Sequence, residues 1–294
     1  MPARHWLGAL LLVLQPLAHA AIQVTDDLGN SVTLARPAGR VVALTPHATE
    51  LVAALAPGAL VGTDSASNYP AGVANLPRVG RYDAVNVEAI IALKPDLVVA
   101  WEGTAVQRSL QAVQKLGIPV FFSTPQTPVD VASNLTRLGV LLGKPQRAAA
   151  QARAMQRDYA ALKARFSHAQ PVRVFLQISP QPLLSISERA FLGRAINDCG
   201  GINAFADASE QVPQVSMEAV LAFAPQVMVA TSPVTELAMW RRYQALPAVA
   251  SGQLYGIVDD RLMRPGPRLV EGVTLLCERI DAARRALAQP KRAK

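Results

Sequence analysis

A fifteen-residue segment occurs twice in this chain. Asn86 to Ala100 reads NVEAIIALKPDLVVA, and 130 positions on Ser216 to Ala230 reads SMEAVLAFAPQVMVA; six positions are identical and the apolar positions coincide throughout. Each copy spells a short helix, a proline break and a buried strand. In each, a cap residue, Asn86 or Ser216, stands two places before a glutamate, Glu88 or Glu218. The cap oxygen can accept an orphan backbone N–H, and the carboxylate suits the positive end of the helix. A chain that repeats a whole α/β unit at this distance is expected to form two similar lobes, and the cleft between them is the place to look for a ligand.

The 294 residues, 51% of them hydrophobic, supply apolar surface for two cores. Ile22 to Leu34 alternates around Gly29 and Asn30 and reads as a hairpin. Strands and helices then alternate, which implies largely parallel sheets covered by helices. From Gln146 to Phe166 there is no Gly or Pro, and the residues are strong helix formers. A helix of that length extends about 30 Å and makes a stiff connector. The fold class read here is therefore α/β: two similar lobes joined by one long rigid helix, with a ligand cleft between them. The boundaries are 1–20 for a leader, 21–143 for the N-terminal lobe, 144–168 for the connector and 169–294 for the C-terminal lobe. Within the second lobe, helices are expected around Ala190 to Cys199, Leu237 to Gln244 and Arg268 to Leu287.

The leader is read from Arg4, the apolar run Trp6 to Leu17 and the small-x-small pattern Ala18, His19, Ala20. These are the parts of a signal peptide cleaved near Ala20, which exports the product to an oxidising space. The chain has two cysteines, Cys199 and Cys277. An even pair in an exported protein reads as one disulfide, and two buried free thiols are the alternative. The formal charge of +8 is concentrated in part in the tail, at Arg284, Arg285, Lys291, Arg292 and Lys294. A solvated terminus accounts for it, and with aromatics at 5% the interleaved basic face of a nucleic-acid binder is absent.

Catalytic signatures are missing: no nucleophile elbow, zinc-protease helix, phosphate loop or dinucleotide fingerprint. Past the leader the histidines are His47 and His168, too few and too scattered for a multi-histidine metal site. His47 follows a predicted strand end, a functional position in open α/β sheets, although a rim or capping role is the plainer reading. Strand ends instead carry aromatic and polar side chains: Tyr69, Tyr82 and Trp101 in the first lobe, Asp260 and Arg264 in the second. Such a set suits a large, flat, partly apolar ligand.

Several segments together carry a resemblance: Thr45 to Leu51, Asn68 to Pro70, Asn86 to Trp101, Arg173 to Gln177, Cys199 to Asn203, Pro213 to Ser216, and Pro267 with Arg268. In these the chain resembles the periplasmic cobalamin-binding proteins of ATP-driven vitamin importers, within the wider siderophore, haem and cobalamin solute-binding family. The likeness runs from about Arg40 to Ile280. It implies a monomeric binder that delivers cobalamin or a related corrinoid to an ABC permease, with little lobe closure and no catalysis. It also implies that Glu88 and Glu218, one per lobe, dock into arginine pockets of the permease, where charge-assisted contacts would set the register. Trp101, Asp260 and Arg264 match the family's ligand positions. Tyr82 and Val212 stand where cobalamin binders carry tryptophans, and Ala66 and Leu184 replace other aromatics. Haem, with Tyr82, Tyr69 or His47 as axial ligand, or a ferric siderophore is the alternative within the family. An exported hydrolase using His47 with Asp64 or Asp260 is the alternative outside it.

Overall fold

The computed structural model describes residues 21–81, 83–103 and 106–288. The expected leader, Tyr82 and the end of the basic tail lie outside the described residues. The N-terminal lobe opens with the hairpin β1 (Ile22–Thr25) and β2 (Ser31–Leu34), turning through Gly29 at φ 84° as the Gly-Asn pair predicts. It continues through β3 (Val41–Ala43), α1 (Pro46–Leu55), β4 (Leu60–Thr63), β5 (Gly80–Arg81), β6 (Ala84–Val85) and α2 (Val87–Ala92). β7 (Leu97–Ala100), α3 (Gln107–Lys115), β8 (Val120–Phe122) and α4 (Pro128–Leu141) complete it, and α5 (Pro145–Phe166) leads away. The C-terminal lobe comprises β9 (Val172–Gln177), β10 (Ser179–Pro180), β11 (Leu183–Leu184), α6 (Phe191–Asp198), β12 (Gly201–Asn203) and α7 (Met217–Phe223). β13 (Val227–Ala230), α8 (Pro247–Ala250), β14 (Leu254–Gly256), α9 (Asp260–Met263) and α10 (Leu269–Ala288) follow.

Each lobe is built on a parallel four-stranded sheet, ordered β4-β3-β7-β8 in one and β12-β9-β13-β14 in the other. Counted along the chain within each sheet, both orders are 2-1-3-4. The repeated segment is α2 with β7 in the first lobe and α7 with β13 in the second, so it supplies the third strand and its preceding helix in both. The caps work as their chemistry requires: the Asn86 side chain accepts from the Ala89 N–H at 3.0 Å and Ser216 from Ala219 at 3.1 Å. Ile90 and Val220, equivalent positions of the repeat, are fully buried and pin each helix to its sheet.

Alternation along the central strands divides the core into three. Val41, Ala43, Leu97 and Val99 face one way, and so do Val174, Leu176, Val227 and Val229 of the second lobe; with α4, α5 and α10 they make one continuous apolar cluster spanning both lobes. Their neighbours face outward: Val42 and Val98 pack under α2 and α3, while Phe175 and Met228 pack against α7 and Trp240. This explains why the strands are apolar at every position rather than at alternate ones.

The connector α5 runs 22 residues, about 33 Å at the helical rise. Its buried stripe is Ala148, Ala152, Met155, Leu162 and Phe166, a helical spacing. Gly143 at φ 66° ends α4, Pro145 opens α5, and Gly139 lets the two helices approach closely, since a Cβ there would lie 2.1 Å from that of Ala148. At the far end, Cys199 caps α6 and is disulfide-bonded to Cys277 of α10. Arg284 reinforces the join by donating to the carbonyls of Gln170, Cys199 and Gly200. One expectation is corrected: the helix anticipated over Leu237 to Gln244 is a 3₁₀ helix, Val234–Arg242. Three residues per turn put Leu237 and Trp240 on the same face, and both are fully buried. No helix among the described residues is long and apolar enough to cross a membrane.

Candidate functional site

The carboxyl ends of parallel strands leave open loops, and a ligand site forms where the strand order reverses direction. In a 2-1-3-4 sheet that point lies between the first and third strands: β3 and β7 in the N-terminal lobe, β9 and β13 in the C-terminal lobe. The two lobes meet through these carboxyl-end loops. After the edge strands β4 and β14, Asn68 Nδ2 donates to Asp260 Oδ2 at 3.1 Å. After the opposite edges β8 and β12, Gln211 Nε2 donates to Gln126 Oε1 at 3.3 Å. The interface between the lobes is therefore bridged by polar contacts at both ends, and the stretch between these bridges, beside the two switch points, is termed the trough.

His47 and Trp101 occupy the N-terminal switch point, one following β3 and the other β7. Their rings meet edge to face, 5.2 Å between centroids and 87° between planes. His47 is buried, with Nδ1 2.9 Å from Thr45 Oγ1 and Nε2 3.0 Å from both the carbonyl and hydroxyl oxygens of Ser123. A neutral ring protonated at Nε2 satisfies this set, donating to Ser123 and accepting from Thr45. Burial, which penalises the charged ring, pushes its pKa down to about 4. With both nitrogens engaged inside the lobe, His47 is not offered as a metal ligand. Its two contacts also dispose of the hydrolase pairing. Asp64 instead accepts from the Ala66 N–H and the Ser67 hydroxyl, and Asp260 pairs with Arg264, so neither carboxylate is the partner of His47. Ser123 itself is fully buried.

The β4 rim loop is stapled in place. Asp64 holds its turn, and Arg78 Nη1 donates to Thr63 Oγ1 and to the Asp64 and Ser67 carbonyls at 2.5, 3.0 and 2.8 Å. This presents Asn68 and Tyr69 to the other lobe. Opposite them, Asp259 caps α9 by accepting from the Arg261 N–H, which sets Asp260 and Arg264 one turn apart with their side chains paired at 2.8 Å. Arg264 Nη1 donates to Asn68 Oδ1 at 2.6 Å and reaches Glu50 Oε1 at 3.4 Å. Arg268 grips the same Glu50 with two donors, Nε to Oε2 at 3.0 Å and Nη2 to Oε1 at 2.6 Å, and its guanidinium stands 3.6 Å from the Tyr69 ring centroid.

Of the residues anticipated for the ligand, Tyr69 and Trp101 lie on loops that follow β4 and β7, Asp260 and Arg264 stand at the two ends of α9 after β14, and Tyr82 is outside the described residues. Tyr69 and Asp260 are open to solvent; Arg264 is largely covered, because its guanidinium is committed to the first lobe. Val212, beside the Gln211 bridge, and Val258, just past β14, are exposed apolar residues. The C-terminal switch point is filled internally: buried Gln177 accepts from Trp240 Nε1 at 2.8 Å and donates to the Glu236 carbonyl. Glu88 and Glu218 are exposed in the first turns of α2 and α7, and among the described residues neither has an ion-pair partner. Helices antiparallel to their strands start at the carboxyl edge, so both acids lie on the edge that forms the trough. No group of three metal-ligating side chains occurs among the described residues. Glu50, Asn68 and Arg268 lie in segments that carry the resemblance but are not among the ligand residues expected from sequence. A signal for Glu50 exists, since it is the one charged residue in α1, PHATELVAAL, and buried carboxylates need partners.

Two lobes of the same strand order, facing each other across their carboxyl edges and joined by one continuous helix, define a bilobal solute-binding protein. The chain belongs to the periplasmic binding protein family, whose model matches residues 41–260. A vitamin B12-binding protein of Vibrio parahaemolyticus is 32% identical over 260 residues, 87% of this chain and 94% of that protein. The crystal structure of the periplasmic vitamin B12 binding protein BtuF of Vibrio cholerae matches with a TM-score of 0.77 at 33% identity, over 85% of this chain and 99% of that one. The periplasmic haem-binding protein BhuT, solved with two haems, matches with a TM-score of 0.75 at 25% identity, over 83% and 98%.

Proposed function

We propose that this chain captures cobalamin, or a related corrinoid, in the periplasm and delivers it to an ABC permease. The observation that carries the reading is the trough itself, with Trp101 at a switch point, Tyr69 on the rim and Asp260 exposed opposite. An indole and a phenol offer apolar faces to a macrocycle, and a carboxylate at the periphery accepts from its amide groups. The vitamin B12-binding relatives that align along nearly their whole length support the same ligand class. Capture needs no covalent step, in keeping with the family. For delivery, Glu88 and Glu218 stand at equivalent positions of the two lobes, unpaired and exposed, so that two like charges can meet two like subunits.

The test is calorimetric titration of the purified protein with cyanocobalamin and with haemin, together with the visible spectrum of the protein isolated from cells supplied with both. Tight stoichiometric binding of cyanocobalamin is the expected result. Binding of haemin alone transfers the reading to haem, with Tyr69 and Tyr82 as the first axial candidates, since both nitrogens of His47 are engaged.

A further inference from the structure

Glu50 is a carboxylate of the N-terminal lobe, 2% exposed at its side chain, whose guanidinium partners both belong to the C-terminal lobe. A charge so covered is stable only while paired, and separating the lobes would strip it of both partners. The contact is shaped for: Gly266, between two prolines, brings the backbone so close that a Cβ there would lie 3.3 Å from Glu50 Oε2. The lobes draw apart between this cluster and the connector helix. A groove of about 630 Å³ lies there, bordered by Ala54 of α1, Met155 and Leu162 of α5, and Val270 of α10. The lobes are thus tied at separated points, α5 on one side of the groove and the Glu50 cluster on the other. A tie at α5 alone would leave a hinge; the buried Glu50 cluster across the groove removes that freedom, and the remaining interlobe contact at the far end, Gln211 to Gln126, is an exposed neutral hydrogen bond that contributes little.

We propose that Glu50, Arg264 and Arg268 form an interlobe latch that sets the lobe separation, and that Glu50 is the positioning residue that holds Arg264 against Asn68 and Asp260 at the mouth of the trough. Through this chain of contacts Glu50 orders a ligand-facing rim that it does not itself line. The latch stands on the lobe contacts alone; only its effect on affinity rests on the cobalamin reading above.

The experiment measures lobe separation directly. Spin labels are attached at Lys115→Cys and Arg241→Cys, exposed positions on the outer helices of the two lobes, and the distance distribution is recorded in the full chain with and without cyanocobalamin. The parent is expected to give one narrow distribution, unchanged by the ligand. Glu50→Gln is expected to broaden it or add a longer component, with cyanocobalamin affinity lowered about tenfold, the scale of a typical coupling between linked elements. Arg268→Lys keeps the charge but loses the two-pronged grip on Glu50, and is expected to broaden the distribution less; it carries the test if Glu50→Gln does not fold. A parental, narrow distribution in a folded Glu50→Gln or Arg268→Lys protein overturns the latch. Broadening in a series that binds no cyanocobalamin supports the latch and removes the ligand assignment instead.

Discussion

The imidazole of His47 stands edge-on to the indole of Trp101, 5.2 Å away, at the point where the N-terminal sheet reverses its strand order. The neutral ring is therefore part of the wall that fixes the tryptophan. Its pKa in the folded chain is about 4, against about 6.5 when unfolded, because burial opposes its charge; the Ser123 carbonyl and Asp27 offset this only in part.

Between pH 6.5 and 4 the unfolded chain binds a proton at His47 that the folded chain does not, so stability falls as pH falls across that window. The loss is of the order of 3 kcal/mol, and it is complete below the folded pKa. Chemical denaturation at pH 7 and at pH 4 should show a smaller decline in His47→Gln than in the parent. Equal declines would mean that His47 is not held neutral.

Cys199 and Cys277 close a loop with a sequence separation of 78, and Arg284 ties the same helix ends through three carbonyls. Replacing both cysteines by serine is expected to lower stability by about 4 kcal/mol, the chain-entropy value for a loop of that length. The Arg284→Ala change should then cost more in the serine variant than in the parent, because each tie covers for the other. Urea unfolding of the four proteins of this cycle measures it; additive effects would count against a shared role.

The repeat is legible in the sequence because both copies bury the same positions, Ile90 with Val220 and the paired strand residues, and because Asn86 and Ser216 are cap residues by their own chemistry. Trp101 is legible as the residue just past a strand, and Asp260 and Arg264 as the polar residues of the segment that follows β14. The latch is not. Glu50 and Arg268 lie 218 positions apart, and a single opposite-charge pair leaves no periodic trace. The 3₁₀ helix over Val234–Arg242 is hidden for another reason: Leu237 and Trp240 are three apart, which suits one face of either helix type. Only the packing, with Trp240 Nε1 drawn to Gln177, selects the tighter winding.

Glu88→Ala combined with Glu218→Ala should leave cyanocobalamin affinity within about twofold of the parent, since both acids are exposed at helix starts and take no part in the polar bridges between the lobes, and a surface carboxylate at a helix start contributes only about 0.3 to 1 kcal/mol. Uptake in cells relying on this protein should be lost. Titration and uptake assays separate the two effects. A large loss of affinity would place these acids at the ligand, not at the permease.

Trp101 supplies the largest apolar face at the switch point, and it is partly exposed while His47 behind it is covered. The indole is backed by a ring that is itself hydrogen-bonded at both nitrogens, so it is presented to a ligand with little freedom left to lose. Trp101→Ala removes one such aromatic contact and is expected to weaken cyanocobalamin binding by about 1 to 3 kcal/mol, roughly 5- to 150-fold in Kd. Trp101→Phe should recover part of it, because a smaller ring keeps a face on the trough. The parent's tryptophan fluorescence should be quenched on binding, and by more than in Trp101→Phe, since Trp101 is the partly exposed indole at the proposed site whereas Trp240 is fully buried. Parental affinity in Trp101→Ala would move the corrinoid away from this switch point and toward the exposed residues Tyr69, Val212 and Val258.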